Sequence, residues 1–507
     1  MPKLPTPTRY PALYQLNTRV YLTTRAHDLA RKVTLDDIAD YELDRLAALG
    51  FDWVWLLGVW QLGAASRQVS RTNPAWQIEF RCVLSDLTDV DIGGSCFAIQ
   101  RYGVGDELGG DDALARLRAR LHARGMRLLL DFVPNHTALD HPWVVEHPER
   151  FVHGSDDDLI REPENYWRRP SGDDACIFAH GRDPNFAGWP DTLQLDYANP
   201  ATVSAMHAEL LHIAARCDGV RCDMAMLLLP EVFSRTWGRA MAAFWPIAIA
   251  AVRAAHPHFM FMAEVYWDLE WEMQQQGFDW TYDKRLYDRL SAASPAGLRA
   301  HLGAGMDFQD KLVRFLENHD EPRAAEIFPR RMHQAAATLA YTVPGLRFFH
   351  QGQLEGYRIH IPTHLVRGPA EETDPELAEF YARLLGCLRT RALREGLWRR
   401  CEPRPAWDGN ASFENYLIHT WTGGDTAKYL VTVNYSPHQA QCFVPLPWPK
   451  LHGPIIRFRD CLSSSVYDRD RDDLLMHGLY LDLPPWGCHF FELTQGLIER
   501  EMCDGVR

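Results

Sequence analysis

Short apolar runs alternate with amphipathic stretches along most of the chain. Apolar residues at helical spacing predict helices at Leu35–Leu49, Asp111–Arg124 and Ala201–Arg216. Eight runs rich in β-branched, aliphatic or aromatic residues predict strands, at Thr18–Thr23, Phe51–Trp60, Met126–Val133, Gly219–Asp223, Phe259–Glu264, Phe278–Tyr282, Val313–His319 and Leu346–Phe349. Eight strands that alternate with helices predict a closed parallel (β/α)8 barrel of the α/β class.

Two regions lack this alternation. The stretch from Thr137 to Asn199 is rich in Pro, Gly, Asp and Trp, and it is too long for a simple connection. Beyond about Cys401, short alternating runs separated by turn residues predict an all-β region. We therefore expect a TIM barrel from residues 1–136 and 200–398, an inserted loop-rich domain at 137–199 after the third strand, and a C-terminal β-sandwich domain at 399–507.

Composition and charge narrow the choice of partners. Hydrophobic residues make up 46% of the 507 residues and charged residues 24%, as in ordinary globular proteins. The formal net charge of −14 argues against a nucleic-acid or membrane partner, since phosphate and anionic lipid both require a basic surface. The charged patch Asp468–Asp473 is interpreted as a solvated loop.

Three further features favour a cytoplasmic protein. Residues Met1–Tyr21 lack the basic start and apolar run of a secretory signal. No apolar stretch is long enough to span a bilayer. The eleven cysteines, an odd number without a CxxC pair, suit free thiols in a reducing compartment. The oligomeric state is left open.

Polar side chains follow four of the predicted strands at the point where each strand ends. In (β/α)8 barrels these carboxyl ends meet at one rim, where active sites form. A single buried aspartate is more often a cap or an ion-pair partner, and Asp131 with His136 alone could be two metal ligands. Four strands that deliver Asp, Arg, Glu and His side chains to one rim favour an active site.

The segments that carry these side chains are DFVPNH, GVRCDMAM, FMAEVYW and FLENHDEPR. They resemble the four signature regions of the α-amylase family, glycoside hydrolase family 13. The resemblance extends over the whole chain, because residues 137–199 look like the family's domain B and the C-terminal β-region looks like its domain C. It implies that Asp223 is the nucleophile, Glu264 the acid/base and Asp320 the third carboxylate.

The same resemblance implies a set of residues around the reacting sugar. They are Arg221 beside the nucleophile, the hydroxyl-binding His136 and His319, the buttressing Asp131, and Phe97 where relatives place a stacking tyrosine. Arg323 lies three residues after Asp320, close enough in sequence to bind substrate or an anionic group, although a surface ion pair is an equal alternative.

Physical chemistry supports the same division of labour. Retaining glycoside hydrolysis needs one ionised and one protonated carboxyl group, about 5–5.5 Å apart. Residues two apart on a strand share a face, so the Arg221 guanidinium should stabilise the ionised form of Asp223. Glu264 follows the apolar run Phe259–Ala263, and desolvation there should raise its pKa.

Two departures from the family pattern bear on specificity and cofactors. Starch-cutting relatives carry Lys and His three and four residues after the nucleophile, whereas Met226 and Leu227 stand here and cannot donate hydrogen bonds. Either the acceptor side differs or other loops supply its contacts. Asn135 resembles a calcium ligand of relatives, but residues 137–199 offer no clear partner oxygens. We therefore expect no essential metal or other cofactor.

Three functions are compatible with these features. The first is a retaining hydrolase of α-glucans, oligosaccharides or small α-glucosides. The second is a transglycosylase or glycoside phosphorylase, which a dry acceptor side at Met226 and Leu227 would favour. The third is an inactive carbohydrate-binding relative, against which the intact carboxylates at positions 223, 264 and 320 argue. Substrate, linkage and chain-length preference are left open.

Overall fold

Eight parallel strands close into a barrel in the computed structural model, which describes residues 7–170, 176–424, 427–449 and 451–495. We label the barrel strands in chain order: β1 Ala12–Asn17, β2 Trp53–Leu57, β3 Arg127–Phe132, β4 Gly219–Cys222, β5 Met260–Ala263, β6 Trp280–Tyr282, β7 Leu312–Arg314 and β8 Leu346–His350. Each strand pairs with the next in sequence, and β8 closes on β1. The predicted (β/α)8 fold class is confirmed.

Helices surround the barrel and fill its connections. Those of seven residues or more are Thr18–Leu29, Asp40–Leu49, Ala64–Thr72, Pro74–Val83, Gly110–His122, Pro200–Ala214, Pro230–Trp237, Trp245–Ala255, Lys284–Ser291, Pro295–His301, Arg330–Thr342, Pro375–Leu388 and, beyond the barrel, Arg471–His477. Among the described residues, every helix is too short or too polar to cross a membrane.

The register of the central strands determines which residues emerge together at the barrel mouth. Cys222 at the end of β4 pairs with Phe132 of β3 and with Ala263 of β5. Asp223 and Glu264, the next residues on their strands, therefore emerge at one level. Their backbone N–H groups extend the ladder, since Asp223 donates to Phe132 O at 2.8 Å and Glu264 donates to Cys222 O at 3.1 Å.

The predicted first strand, Thr18–Thr23, is wrong, because these residues begin the helix Thr18–Leu29 and the strand precedes them. Threonine, valine and tyrosine gave the segment a strand-like composition. The side chain of Asn17 accepts a hydrogen bond from Val20 N–H, and this cap starts the helix at Thr18. The strand count of eight holds, with the first strand displaced towards the N-terminus.

The seventh predicted strand, Val313–His319, is too long, because regular pairing ends at Arg314. Beyond that point, a side chain accepts hydrogen bonds from backbone N–H groups. Asn318 Oδ1 accepts the N–H groups of Asp320 and Glu321, both at 2.8 Å. The chain turns here instead of continuing the ladder, because its N–H groups bond within the turn.

The excursion after β3 contains two small antiparallel pairs. His136–Ala138 pairs with Thr192–Gln194, and Tyr166–Arg168 pairs with Ile177–Ala179. The short helices Trp143–Glu146 and Asp156–Arg161 lie between these strands in sequence. The first pair joins the two ends of the excursion beside the barrel mouth. The predicted boundaries at residues 136, 199 and 398 stay predictions.

The C-terminal region is all-β apart from one helix. Its six-stranded sheet contains, in spatial order, Leu397–Cys401, Tyr416–Thr422, Lys428–Asn434, Cys488–Gln495, Ile455–Asp460 and Val466–Asp470. A three-stranded sheet contains Arg404–Pro405, Ala440–Val444 and Leu479–Leu483. Apolar residues of both sheets share one core cluster. Residues 496–507 of the predicted domain, with Cys503, lie outside the described residues.

The loop predicted at Asp468–Asp473 is wrong as a secondary structure. These exposed residues end the strand Val466–Asp470 and begin the helix Arg471–His477. Asp470 makes the transition possible, because its carboxylate accepts the N–H groups of the first helical turn.

A buried ion-pair cluster on β7 stabilises the side of the barrel away from the site. Arg314 is fully buried; its guanidinium binds the carboxylate of Asp283 and donates to Pro344 O at 2.8 Å. His301 Nε2 lies 3.0 Å from the same carboxylate. Removing one partner of a buried pair leaves an uncompensated charge, which is strongly destabilising.

We expect Arg314→Met to lower the free energy of unfolding by about 3–5 kcal/mol, because Asp283 loses its buried guanidinium. Arg116→Met is the control, since Arg116 pairs with Asp36 on the surface and such pairs contribute about 0–1 kcal/mol. Urea unfolding followed by circular dichroism measures both. Equal losses in the two variants would contradict a structural role for the buried cluster.

Candidate active site

A cavity of about 280 Å³ opens at the carboxyl ends of the barrel strands. Five of the nine residues predicted for the site line it, namely Asp223, Glu264, Asp320, His136 and Phe97. Residues from the excursion and its neighbours complete the wall, among them Trp76, Trp189, Asp191 and His364. The barrel therefore brings the three predicted catalytic carboxyl groups into one cavity.

Arg221 lies directly beneath the cavity and contacts three carboxyl groups. It is fully buried, with Nη1 at 2.7 Å from Asp223 Oδ1 and Nη2 at 2.7 Å from Glu264 Oε2. Asp131 Oδ1 lies further away, 3.9 Å from Nη1. One guanidinium thus spans the two carboxylates that the sequence assigns to nucleophile and acid/base.

Aromatic rings enclose the Arg221 guanidinium within the barrel. Its central carbon lies 5.5 Å from the ring centre of Trp55, 5.1 Å from that of Phe97 and 5.9 Å from that of Tyr282. Ring faces stabilise a desolvated cation, so they offset part of the cost of burying it. Sequence analysis did not identify Trp55 and Tyr282, which looked like ordinary strand residues.

Glu264 is buried and is held by one ion pair and two hydrogen bonds. Besides Arg221, Met224 N–H donates to Oε2 at 2.6 Å and Tyr266 O–H donates to Oε1 at 3.0 Å. Burial raises the pKa of Glu264 to about 8, against the opposing charge of Arg221 and with support from Asp223. The direction of the Glu264 pKa shift is the one expected from its apolar surroundings.

Two residues that hold Glu264 were not recognised from the sequence. Met224 has a left-handed backbone, with φ of 40°, which aims its N–H at the carboxyl group. Such a conformation is unfavourable for a non-glycine residue and persists where its surroundings enforce it. Tyr266 belongs to the motif FMAEVYW, which was the one available signal for it.

Asp320 and His319 form the opposite side of the site. His319 Nε2 lies 3.1 Å from Asp320 Oδ2, and the Asp320 side chain is 41% exposed at the cavity mouth. Gln15 Nε2 donates to His319 Nδ1 at 2.9 Å, so in this amide orientation the ring proton lies on Nε2, facing Asp320. Burial lowers the pKa of His319 well below its usual value, so the ring is neutral.

Further predicted residues lie below the cavity or on its wall. Asp131 is buried under the cavity floor, where Gly58 N–H donates to its Oδ2 at 3.4 Å. Burial raises the pKa of Asp131 to about 7, against the charge of Arg221. His136 lies on the wall with its ring centre 5.1 Å from that of Trp189. Asp131 can therefore act on a ligand mainly through Arg221.

The prediction that Arg323 binds substrate is wrong. Its side chain is buried and bonds with Glu317 at 3.2 Å and with Gln351 O at 2.9 Å. The turn formed around Asn318 directs the side chain into the protein instead of the cavity. Proximity to Asp320 in sequence did not translate into proximity to the site, and the alternative of a surface pair is also wrong.

Met226 and Leu227 do not form the acceptor side. Both belong to the 3₁₀ turn Ala225–Leu228 and are buried in the hydrophobic core. Neither lines the cavity, so the prediction that they create a dry acceptor side is wrong. The turn after β4 packs both side chains into the core.

The residues around Asn135 do not fit calcium. The amide nitrogen of Gln194 donates to Asn135 Oδ1 and Asn135 O, both at 3.0 Å, and lies 3.1 Å from Leu195 O. A donor nitrogen therefore occupies the point at which three oxygens converge, where a hard cation would need them free. Within the described ranges, no group of three or more His, Cys, Asp or Glu side chains could hold a metal ion.

A parallel barrel whose mouth presents paired carboxyl groups, one of them held protonated, belongs to the class of glycoside-processing (β/α)8 enzymes. The family described as alpha amylase, catalytic domain, matches residues 34–363, which is more than half of the chain. The chain therefore belongs to the alpha-amylase family, whose members process glycosidic bonds by hydrolysis or transfer.

Similar proteins include hydrolases and a transferase. Alpha-amylase MalA of Haloarcula japonica is 25% identical over 68% of this chain and 44% of its own length. An alpha-1,4-glucan:maltose-1-phosphate maltosyltransferase of Burkholderia pseudomallei is 26% identical over 68% of this chain and 27% of its own length. The chain thus spans less than half the length of these two relatives.

Among solved structures, a noncanonic maltogenic alpha-amylase, AmyB, from Thermotoga neapolitana superposes with a TM-score of 0.68 at 17% identity. The superposition covers 96% of this chain and 99% of that one. An alpha-amylase from Geobacillus thermoleovorans, solved with acarbose, gives 0.65 at 18% identity and covers 97% and 100%. These similarities show the fold.

We expect Glu264→Gln to stabilise the protein more at pH 8.5 than at pH 5. A carboxyl group whose pKa is raised by folding destabilises the folded state increasingly as pH rises from its usual pKa to about 8. Glutamine does not ionise and avoids this cost. Between pH 5 and pH 8.5 the difference in melting temperature between variant and wild type should grow by a few degrees. This corresponds to a change of about 1 kcal/mol or more in the difference in unfolding free energy. Glu272→Gln, on an exposed helix face, should show no such growth.

Proposed function

We propose that the protein is a retaining α-glycoside hydrolase that acts on α-glucans, oligosaccharides or small α-glucosides. The observation that carries this proposal is the Arg221 guanidinium, which binds Asp223 and Glu264 at 2.7 Å each. One guanidinium can bridge two carboxylates only if they are close together, as a covalent intermediate requires. The expected separation of about 5–5.5 Å between the carboxyl groups stays a prediction.

In the proposed reaction, Asp223 attacks the anomeric carbon while Glu264 donates its proton to the leaving oxygen, which breaks the glycosidic bond. The sugar is then esterified to Asp223. Glu264, now ionised, takes a proton from water, whose oxygen attacks the anomeric carbon and releases Asp223. Asp320 and His319 are proposed to bind sugar hydroxyls, and the Phe97 ring to contact an apolar sugar face.

Transfer to a sugar or phosphate is the second candidate. It uses the same intermediate, and the likeness to a maltosyltransferase supports it. A separate cavity that shares Met224 and Tyr266 with the site supports transfer to a sugar in particular. An inactive binding protein is disfavoured because Asp223, Glu264 and Asp320 line one cavity.

We propose a cytoplasmic location on the grounds of the cysteines, since all ten that the structure describes are free thiols.

Product stereochemistry tests the mechanism. Proton NMR across an α-glucoside panel, with and without phosphate and sugar acceptors, should show the α-anomer first.

We expect Glu264→Gln to lower kcat on unactivated substrates by about 10²–10⁴-fold, and Asp223→Ala to abolish turnover. The kcat/KM of the wild type should fall as pH rises through about 8, because Glu264 loses its proton. An initial β-anomer, or full activity in Asp223→Ala, would refute the proposal.

We also propose that activity is independent of metal ions, because the Gln194 amide occupies the oxygen cluster at Asn135. Dialysis against EDTA should leave the melting temperature and kcat unchanged. Gln194→Ala is the companion variant, since it opens the cluster to a cation. A fall in wild-type stability that added calcium restores would contradict metal independence.

A further inference from the structure

A second cavity of about 420 Å³ adjoins the catalytic cavity. The two share Met224 and Tyr266 as a common wall. Both residues donate hydrogen bonds to the Glu264 carboxyl group, so the second cavity lies on the side of that group. A general acid delivers its proton to the leaving oxygen. The second cavity is therefore placed to receive the group that leaves or the acceptor that replaces it.

Glu270 lines this cavity with a carboxyl group that has no side-chain partner among the described residues. The residue is 5% exposed. The backbone N–H at its own position donates to its carboxyl group, and the positive charge of Arg285 acts on it without an ion pair. Burying a carboxyl group without partners is costly, so such a group at a cavity wall indicates an external donor. Burial raises the pKa of Glu270 to about 7.

The cations of the same cavity are already neutralised. Arg285 is bonded to the carboxylate of Asp268, and Lys284 Nζ lies 2.6 Å from Asp288 and 3.1 Å from Glu321. Asp183 and Glu270 also line the cavity, so five carboxyl groups surround two positive groups. An anion entering here would meet a net negative wall.

Three aromatic side chains, Phe186, Tyr266 and Trp267, also line the cavity. Phe186 is 72% exposed, and Trp267 follows Tyr266 in a turn where Trp267 and Asp268 both have positive φ, 65° and 63°. Two consecutive non-glycine residues in this conformation are strained, which is common where a loop presents a functional side chain. Flat rings beside hydrogen-bond acceptors suit the two faces of a sugar or polyol.

We propose that Glu270 is a specificity-determining residue that accepts hydrogen bonds from hydroxyl groups of an uncharged sugar or polyol in the second cavity. This molecule is the leaving group or the acceptor of the reaction, and phosphate and sugar phosphates are disfavoured there. The inference rests on the proposed function, because it needs Glu264 to act as the acid/base.

The test measures how the glycosyl-enzyme intermediate is partitioned between hydrolysis by water and transfer to an added acceptor. The wild type, Glu270→Gln, Glu270→Ala and the control Glu272→Gln are supplied with 4-nitrophenyl α-glucoside and increasing glucose, maltose or inorganic phosphate. We expect the wild type to form new glycosides with the sugars and none with phosphate. Both Glu270 variants lose a hydrogen bond between the acceptor and a charged group. We therefore expect the ratio of transfer to hydrolysis to fall about 10-fold or more in each of them. The control residue Glu272 is exposed and belongs to the same short helix as Glu270, Glu270–Gln275, so this variant should match the wild type.

Binding is measured in parallel by tryptophan fluorescence during titration with maltose, so that a folded but slow variant is still informative. Unchanged maltose affinity and partition in Glu270→Gln, with normal hydrolysis, would overturn the role of Glu270 and leave the proposed function standing. Efficient transfer to phosphate, weakened by Lys284→Met, would overturn the proposed ligand class. A wild type that is inert on every α-glucoside would overturn the proposed function and this inference together.

Discussion

The buried guanidinium of Arg221 is the interaction on which the site depends. It neutralises a mouth in which Asp131, Asp223 and Glu264 converge with little access to water. Without it, the carboxyl groups would have to be protonated or the barrel mouth would be unstable. The parallel register of β3, β4 and β5 brings these groups together, and aromatic rings enclose the cation.

Within this arrangement, desolvation separates the chemical roles of otherwise similar groups. Glu264 is buried, and its pKa rises although the charge of Arg221 opposes the shift. Asp320 is partly open to solvent at the cavity mouth. The surroundings of the proposed acid favour its protonated form, and this costs folding stability as pH rises from the usual glutamate pKa to about 8. The second cavity extends the same principle, since Glu270 is buried without a partner until a ligand supplies donors.

Much of the fold could be predicted because the spacing of apolar residues and the composition of each segment reflect which of its residues are buried. The apolar runs ending at Asp223 and Glu264 lie on barrel strands with nearly their predicted bounds. Errors arose where a side chain overrode local composition. Asn17 turns a strand-like segment into a helix, and Asn318 ends the seventh strand early. Arg323 illustrates the limit for site residues, because a turn decides whether a neighbour in sequence faces the cavity.

The barrel, the order of its strands and the shared rim of the three carboxyl groups follow from the sequence, since strand ends in a closed parallel barrel necessarily meet. The residues that hold those groups, and the chemistry around them, follow from the folded arrangement of the chain. Gln15 and Gln194 act through contacts with residues that are distant in sequence. Tyr266 and Glu270 act at cavities that form only in the folded chain. The same applies to Met226 and Leu227, which one turn of the backbone moves from the expected acceptor side into the core. Hydrogen bonds and desolvation depend on distances of a few ångströms, and these distances exist only once the chain is folded.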